Sequence, residues 1–425
     1  MPATERILIL TADAGFGHRS AANAVAAALA EQYGDQCQVD IVNPLEDKHT
    51  PFFLRDSQSD YDRIVREIPD LYRIGYDASD AAVPSLIASR ALTVLLYEVM
   101  YDLVTAYQPD VVLVTYPIYQ APLRAVFTVN RYYVPIYTVV TDLATVHHLW
   151  FDPGVVGCLV PTLQVRQLAL SSNMKPGQVI ITGIPVHPDF ARGSCDKAAL
   201  RQALGWQPDL LTFLAVGSQR VEGLPDLLNV LNHFGRPLQL AVVAGKNAEL
   251  YQQLQQIDWH VPVHLFNYVT NMPDLMHAAD VLICKAGGLV VTEGLACGLP
   301  MMLTNVIPGQ ETGNARYVVE NGAGNLIEDP LQALELTAHW LMEDGKLLKE
   351  RARNAFLSGK PDAASVVAKL LWRAAQTGPL DRTGKHILGR PDLISVLTRY
   401  RVNLRERLQL KRSSGEAGKV EAPHG

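Results

Sequence analysis

Residues 284–324 read CKAGGLVVTEGLACGLPMMLTNVIPGQETGNARYVVENGAG. The run enters from Leu282-Ile283-Cys284, which is short and apolar, as a buried parallel strand is. Lys285-Ala286-Gly287-Gly288 breaks the strand, and helical spacing resumes through Val290, Val291, Leu295 and Ala296. Gly298-Leu299-Pro300 ends that helix with a glycine cap signal and a following proline. The next strand is Pro300–Leu303. Strand, glycine turn, helix and strand in succession form the repeating unit of a doubly wound α/β sheet.

Glycines at a strand end let backbone N–H groups approach a ligand closely, and the following helix aims its positive end at the same spot. Gly287, Gly288 and Leu289 open such a helix, so a phosphate or pyrophosphate fits there. Glu293 follows about one and a half turns into the helix, where a carboxylate can accept two ribose hydroxyls. Pro308–Asn314 then supplies Gln310, Glu311 and Asn314 at a strand end, a density of hydroxyl-binding groups that suits a sugar. A Gly-Gly pair alone is only a tight turn. Together with Glu293 and the Gln-Glu…Asn loop it favours a nucleotide-sugar site.

This segment resembles the donor-binding motif of the family that holds monogalactosyldiacylglycerol synthases and processive diacylglycerol glucosyltransferases, within glycosyltransferase family 28. The N-acetylglucosaminyl transferase acting on undecaprenyl-linked muropeptide is a more distant relative. The resemblance rests on the Lys285–Gly288 turn, on Glu293 and on the Pro-Gly-Gln-Glu-x-x-Asn loop at 308–314, and it extends over roughly residues 5 to 375. It implies a GT-B architecture: two Rossmann-like domains facing across a cleft, acceptor in the first and UDP-sugar in the second.

Composition agrees with a two-domain globular chain. There are 425 residues, more than one hydrophobic core usually serves, with 48% apolar and 19% charged residues. The net charge of -6 argues against a general nucleic-acid partner. Cys37, Cys158, Cys195, Cys284 and Cys297 lack Cys-x-x-Cys spacing, which fits reduced thiols better than a disulfide frame or a zinc site. Met1–Arg6 has no signal-peptide layout, and the longest apolar stretch, Val83–Val104, carries Arg90, Glu98 and Asp102. A cytoplasmic protein lying on a membrane, not crossing it, is the expectation.

In the first half, Arg6–Leu10 is a strand signal, then a Gly loop holds Gly15, Phe16, Gly17 and His18, and an Ala-rich helix follows from Arg19 to Ala30. The dinucleotide fingerprint spacing fails, because no third glycine follows at the right place. The loop resembles the acceptor-side Gly-x-Gly-His loop of the lipid glycosyltransferases, with Phe16 where many relatives have Gly. A histidine at a helix N-terminus tends to stay neutral and able to accept a proton, which a general base requires. A mere helix cap is the equal alternative from the residues alone; the resemblance favours the base.

Further strands are expected at Val39–Asn43, Val111–Thr115, Val134–Val140 and Gly157–Thr162, with a region rich in aromatics at 48–80 that includes Phe52, Phe53, Tyr61, Tyr72 and Tyr76. These aromatics either pack on the domain or, in part, form a lip that meets lipid. Thr141-Asp142-Leu143 and His147-His148-Leu149-Trp150 resemble the family's Thr-Asp…His-x-x-Trp motif. Ligands gather at the C-terminal ends of parallel strands, which places Asp142 and His147 near His18. His147 and His148 point in different directions and have no further ligand cluster, so no catalytic metal or other cofactor is expected.

Gly183, Pro185 and Pro188 mark a crossover, with the boundary expected near 190: residues 1–190 for the acceptor and 191–375 for UDP-sugar. In the second half Gly217 and Ser218 end the strand Leu210–Val216, where relatives have a glycine run, and Arg220 follows as charge or as plain surface. Tyr268 and Val269 lie in a stretch that resembles the family's border to the uracil ring, although core packing explains Val269 equally. The last part of the helical region 330–375 is expected to return toward the first half. Residues 376–425 fall outside the resemblance. Leu393–Leu410 reads either as a basic amphipathic helix for anionic phospholipid or as a solvated helix before a tail.

The reaction implied is an inverting transfer of a hexose from UDP-sugar to the hydroxyl of diacylglycerol. His18 is the base, Asp142 or His147 assists its orientation, and the diphosphate sits at Gly287 and Gly288 in place of a metal. A transferase of the UDP-N-acetylglucosamine type using another lipid acceptor, a nucleotide-sugar epimerase and an inert binding protein of the same fold are the other classes.

Overall fold

The structure, a computed structural model, describes residues 4–13, 16–52, 54–55, 82–191, 196–218, 221–306 and 311–378. The readings made at Gly15, Phe53, 56–80, Cys195, Gln219, Arg220, Gln310 and the tail beyond 378 lie outside these residues, as does the side chain of Phe16.

The first sheet holds β1 (Glu5–Leu10), β2 (Cys37–Val42), β3 (Val111–Val114), β4 (Ile136–Val139), β5 (Gly157–Val160) and β6 (Val179–Ile181). Its order is β2-β1-β3-β4-β5-β6, all parallel. Ile7 to Leu10 and Val111 to Val114 are buried without alternation, because helices cover both faces of a parallel sheet. The helices of this half are α1 (Phe16–Tyr33), α2 (Ala82–Tyr107), α3 (Gln120–Asn130) and α4 (Leu163–Ser171).

The second sheet holds β7 (Leu211–Val216), β8 (Leu238–Val243), β9 (Val263–Phe266), β10 (Val281–Lys285), β11 (Met301–Thr304) and β12 (Gly324–Leu326). Its order is β12-β11-β10-β7-β8-β9, again parallel throughout. Helices α5 (Lys197–Ala203), α6 (Leu224–Asn232), α7 (Ala248–Gln255), α8 (Met272–Ala278), α9 (Gly288–Ala296) and α10 (Thr312–Glu320) connect these strands. The chain then runs through α11 (Pro330–Trp340), α12 (Met342–Ser358) and α13 (Ala363–Thr377). Both sheets reverse direction of winding at one place, between β1 and β3 and between β7 and β10. Ligand sites of open α/β sheets lie outside those switch points.

Packing describes the two crossings between the halves. Ile184, Val186 and Phe190 share a core with Leu282, Val291 and Leu295 of the second half. Gly183 has φ +88°, and a Cβ there would lie 2.5 Å from the Lys360 Cβ, where the chain crosses back. Helix α13 belongs by packing to the first domain. Its Ala364, Val367, Ala368, Leu371 and Ala375 share a core with Ile7, Ile9, Val25 and Leu29. The physical reason is the small-residue face of α1 (Ala21, Ala24, Val25, Ala28), which lets a second helix approach closely and would otherwise stay in water.

Candidate active site

The Gly loop after β1 is braced before it reaches His18. Asp13 accepts both nitrogens of the Arg19 fork, at 2.9 and 2.8 Å, and the Asn43 amide adds a bond of 3.2 Å. The guanidinium holds the Asp13 carboxyl below its ordinary range. Helix α1 starts at Phe16, earlier than its alanine run suggests, so His18 lies in its first turn, where backbone N–H groups are unpaired.

The His18 ring sits in an aromatic setting, edge-on to Tyr116 at 4.9 Å and tilted against Trp150 at 5.9 Å. Burial lowers its pKa to about 4, opposed only in part by a hydrogen bond with the Thr115 carbonyl. The imidazole is therefore neutral at pH 7. Its Nδ1 lies 3.0 Å from the Thr141 hydroxyl. The sequence names the next residue, Asp142, as its partner, and Thr141 is what connects the two.

Thr141-Asp142-Leu143 leaves the C-terminal end of β4 and crosses the cleft. The Leu143 N–H donates to the Asn314 Oδ1 at 2.9 Å, and the Asn314 amide donates to the Ala286 carbonyl at 3.1 Å. The same amide hydrogen bonds to the Asp142 carboxyl. Asn314 is 1% exposed, so its groups serve this junction between domains. Two glycines permit the approach. A Cβ on Gly288 would lie 2.6 Å from the Thr141 carbonyl oxygen, and one on Gly313 would lie 2.3 Å from the Thr145 Oγ1. Gly313, Thr141 and Thr145 escape a reading by residue type; the signal available is a small residue beside each helix start.

On the donor side, β10 ends in Lys285, whose ammonium pairs with the Glu311 carboxylate. Gly287 caps α9 in an extended conformation, and Gly288 begins the helix. Leu289 follows in its first turn. Burial, and then the Glu311 charge, push the Asp142 carboxyl up to about 7, against the opposing effects of Asn314 and Lys285. Two carboxylates, one ammonium and the open end of a nine-residue helix thus meet within reach of the His18 loop.

Glu293 stands in the second turn of α9. Among the described residues it makes no hydrogen bond or ion pair, and burial pushes its pKa to about 8. Such a carboxyl is held in its neutral form at pH 7. Gly217 and Ser218 follow β7, which lies beside β10, so they border the same switch point. The Gly217 N–H is already spent on the Val243 carbonyl at 2.8 Å, and the Ser218 carbonyl accepts from Asn247 and from the Val221 N–H. Tyr268, 64% exposed, lies past β9, two strands farther out, under the Lys246 ammonium at 5.4 Å. Val269 is partly buried against the second core.

His147 caps the turn His148–Trp150 by accepting the Leu149 N–H on Nδ1 at 3.1 Å. That turn carries Trp150 to His18, so the structure gives His147 a part in placing the aromatic wall. His148 is exposed.

Residues 18–186 match the family model described as monogalactosyldiacylglycerol (MGDG) synthase, and residues 212–367 match the glycosyltransferase family 28 C-terminal domain. The chloroplastic monogalactosyldiacylglycerol synthase of Spinacia oleracea is 33% identical over 371 residues, covering 84% of this chain and 70% of the relative. Monogalactosyldiacylglycerol synthase 1 of Arabidopsis thaliana is 32% identical, covering 84% and 69%. Among solved structures, MurG of Acinetobacter baumannii superposes with a TM-score of 0.57 at 16% identity, over 87% of this chain and 99% of that one. A UDP-N-acetylglucosamine 2-epimerase of Listeria monocytogenes, so described as a putative one, superposes at 0.54 and 16%, over 86% and 95%. At such identities the two structures speak for the fold, which is GT-B. The chain belongs to the monogalactosyldiacylglycerol synthase family.

Proposed function

We propose that the protein moves a hexose, galactose before glucose or glucuronate, from a UDP-sugar to the free hydroxyl of diacylglycerol, with inversion at the anomeric carbon. The observation that carries this reading is the Thr141–Leu143 bridge, which ties the His18 base to the Lys285–Glu311–Asn314 donor side. With Nδ1–H donating to the Thr141 hydroxyl, Nε2 of His18 holds the lone pair. It takes the acceptor proton while the acceptor oxygen attacks the anomeric carbon and the bond to UDP breaks. The imidazolium then formed is stabilised by the Thr115 carbonyl. The diphosphate leaves toward the first turn of α9 and the Lys285 ammonium, which supply the charge stabilisation. Glu293 accepts the ribose hydroxyls, and Gln310 and Glu311 the sugar hydroxyls.

No helix among the described residues is long and apolar enough to cross a membrane. The lipid acceptor is met at a bilayer surface, where diacylglycerol resides. The experiment is incubation with vesicles containing diacylglycerol and a panel of UDP-galactose, UDP-glucose and UDP-glucuronate, read by mass spectrometry of the extracted lipid. A monohexosyl-diacylglycerol from UDP-galactose is the expected product. His18→Ala is expected to give none while still binding UDP. UDP binding without any lipid product sinks the acceptor, and full activity of His18→Ala sinks the base.

A further inference from the structure

Outside the cleft, the first domain gathers a second set of chemically active side chains. His49 stands in the loop after β2, and Glu98 and Asp102 stand one turn apart on α2. One ligand atom from each lies within 4.8 Å of the other two. Residues 96–104 of α2 are otherwise buried on all sides, so these two half-buried carboxylates are the polar stripe of an apolar stretch.

The spacing around the imidazole agrees with this. The His49 Nδ1 lies 3.5 Å from the Asp102 Oδ2, beyond the usual N–H···O range and close to the edge of a tetrahedron built from bonds of about 2.0–2.1 Å, roughly 3.3–3.4 Å. The Asp47 Oδ1 accepts the His49 backbone N–H at 2.8 Å, which fixes the loop in the shape that presents the ring.

We infer that His49, Glu98 and Asp102 form a site for a divalent first-row cation, Zn²⁺ or Mn²⁺, that fastens the loop after β2 onto α2. One imidazole with carboxylates suits these ions, and a magnesium ion, which takes oxygen ligands and keeps its waters, less so. The ion lies apart from the transfer chemistry but braces its acceptor side. The loop it holds continues back through the Thr50 hydroxyl, which donates to the Pro44 carbonyl at 2.6 Å. From there Asn43 donates to Asp13, the partner of Arg19 beside His18.

The test uses the full chain, dialysed against a chelator and titrated calorimetrically with Zn²⁺, Mn²⁺ and Mg²⁺. About one equivalent of Zn²⁺ or Mn²⁺ should bind and raise the melting temperature, and Co²⁺ should give the visible absorption of an ordered low-coordinate site. His49→Ala, and separately the isosteric pair Glu98→Gln with Asp102→Asn, should weaken binding roughly 10-fold or more. Circular dichroism identifies any variant that fails to fold, and the isosteric pair keeps the test decisive if His49→Ala does. Absence of stoichiometric binding overturns the site. So does equal binding by the folded variants, which would mean scattered surface histidines only.

Discussion

At the scale of single residues, burial moves two groups in opposite directions, to opposite use. It lowers His18 to about 4, keeping the imidazole neutral, and raises Glu293 to about 8, keeping the carboxyl protonated. The Glu293 shift has a consequence for stability. Below pH 4.5 the group is protonated whether the chain is folded or not, and it contributes no difference. Between 4.5 and 8 the unfolded chain releases the proton while the folded chain holds it, so stability falls as pH rises, and the loss is complete above 8. Glu293→Gln never ionises. It should melt higher than the parent by a margin that opens across this window, on the order of 5 kcal/mol at pH 9. UDP should stabilise the parent more than the variant, because ribose hydroxyls favour the ionised form. Equal melting curves at pH 9 would show that Glu293 is solvated. Glu293 and Lys285 were legible because their spacing from the glycine turn is local. The junction role of Asn314 was not, since its partner Leu143 lies 171 positions away and a residue type does not name a partner across a cleft.

At the scale of elements, the strands were readable wherever burial on both faces produced an unbroken apolar run, as in Ile7–Leu10 and Val111–Val114. The edge strand β12, Gly324–Leu326, carries no such run and was not read. The first turn of α1 was missed as well, because its Phe-Gly-His start looks like loop. Two helix starts, α9 and α10, press glycine backbone against the 141–145 segment of the other domain. Gly313 is the cleaner probe, since a side chain there meets the Thr145 backbone nitrogen at 2.6 Å as well as its hydroxyl. Backbone cannot rotate away, so Gly313→Ala must push the segment and the helix apart. It should lower kcat by one to two orders of magnitude, on the order of 2 kcal/mol in the transition state, with UDP affinity changed far less. Equal losses in UDP affinity and kcat would place the fault in the donor domain's own fold.

At the scale of the whole molecule, two chain crossings join the domains, and they run side by side at Gly183 and Lys360. The second crossing delivers α13 to the first sheet, so the first domain is completed only by the last described helix. The alternation of strands and helices made two Rossmann-like halves legible. That α13 completes the first was visible only as a tendency to return, because its amphipathic face does not say which sheet it covers. Trp372 stacks on Tyr33 at 4.4 Å, and Leu371 is fully buried against α1 and the sheet. Leu371→Ala removes apolar contact at a site with little room to relax, which costs about 2–5 kcal/mol. The loss should fall on the first domain. Hydrogen exchange of β1, β3 and α1 should accelerate, while β7, β10 and α9 keep their protection and UDP still binds. Transfer to lipid should fail at temperatures where UDP binding persists. If exchange accelerated equally in both sheets, the two domains would unfold as one unit, and α13 would be a clamp on the whole molecule and not the missing layer of one half.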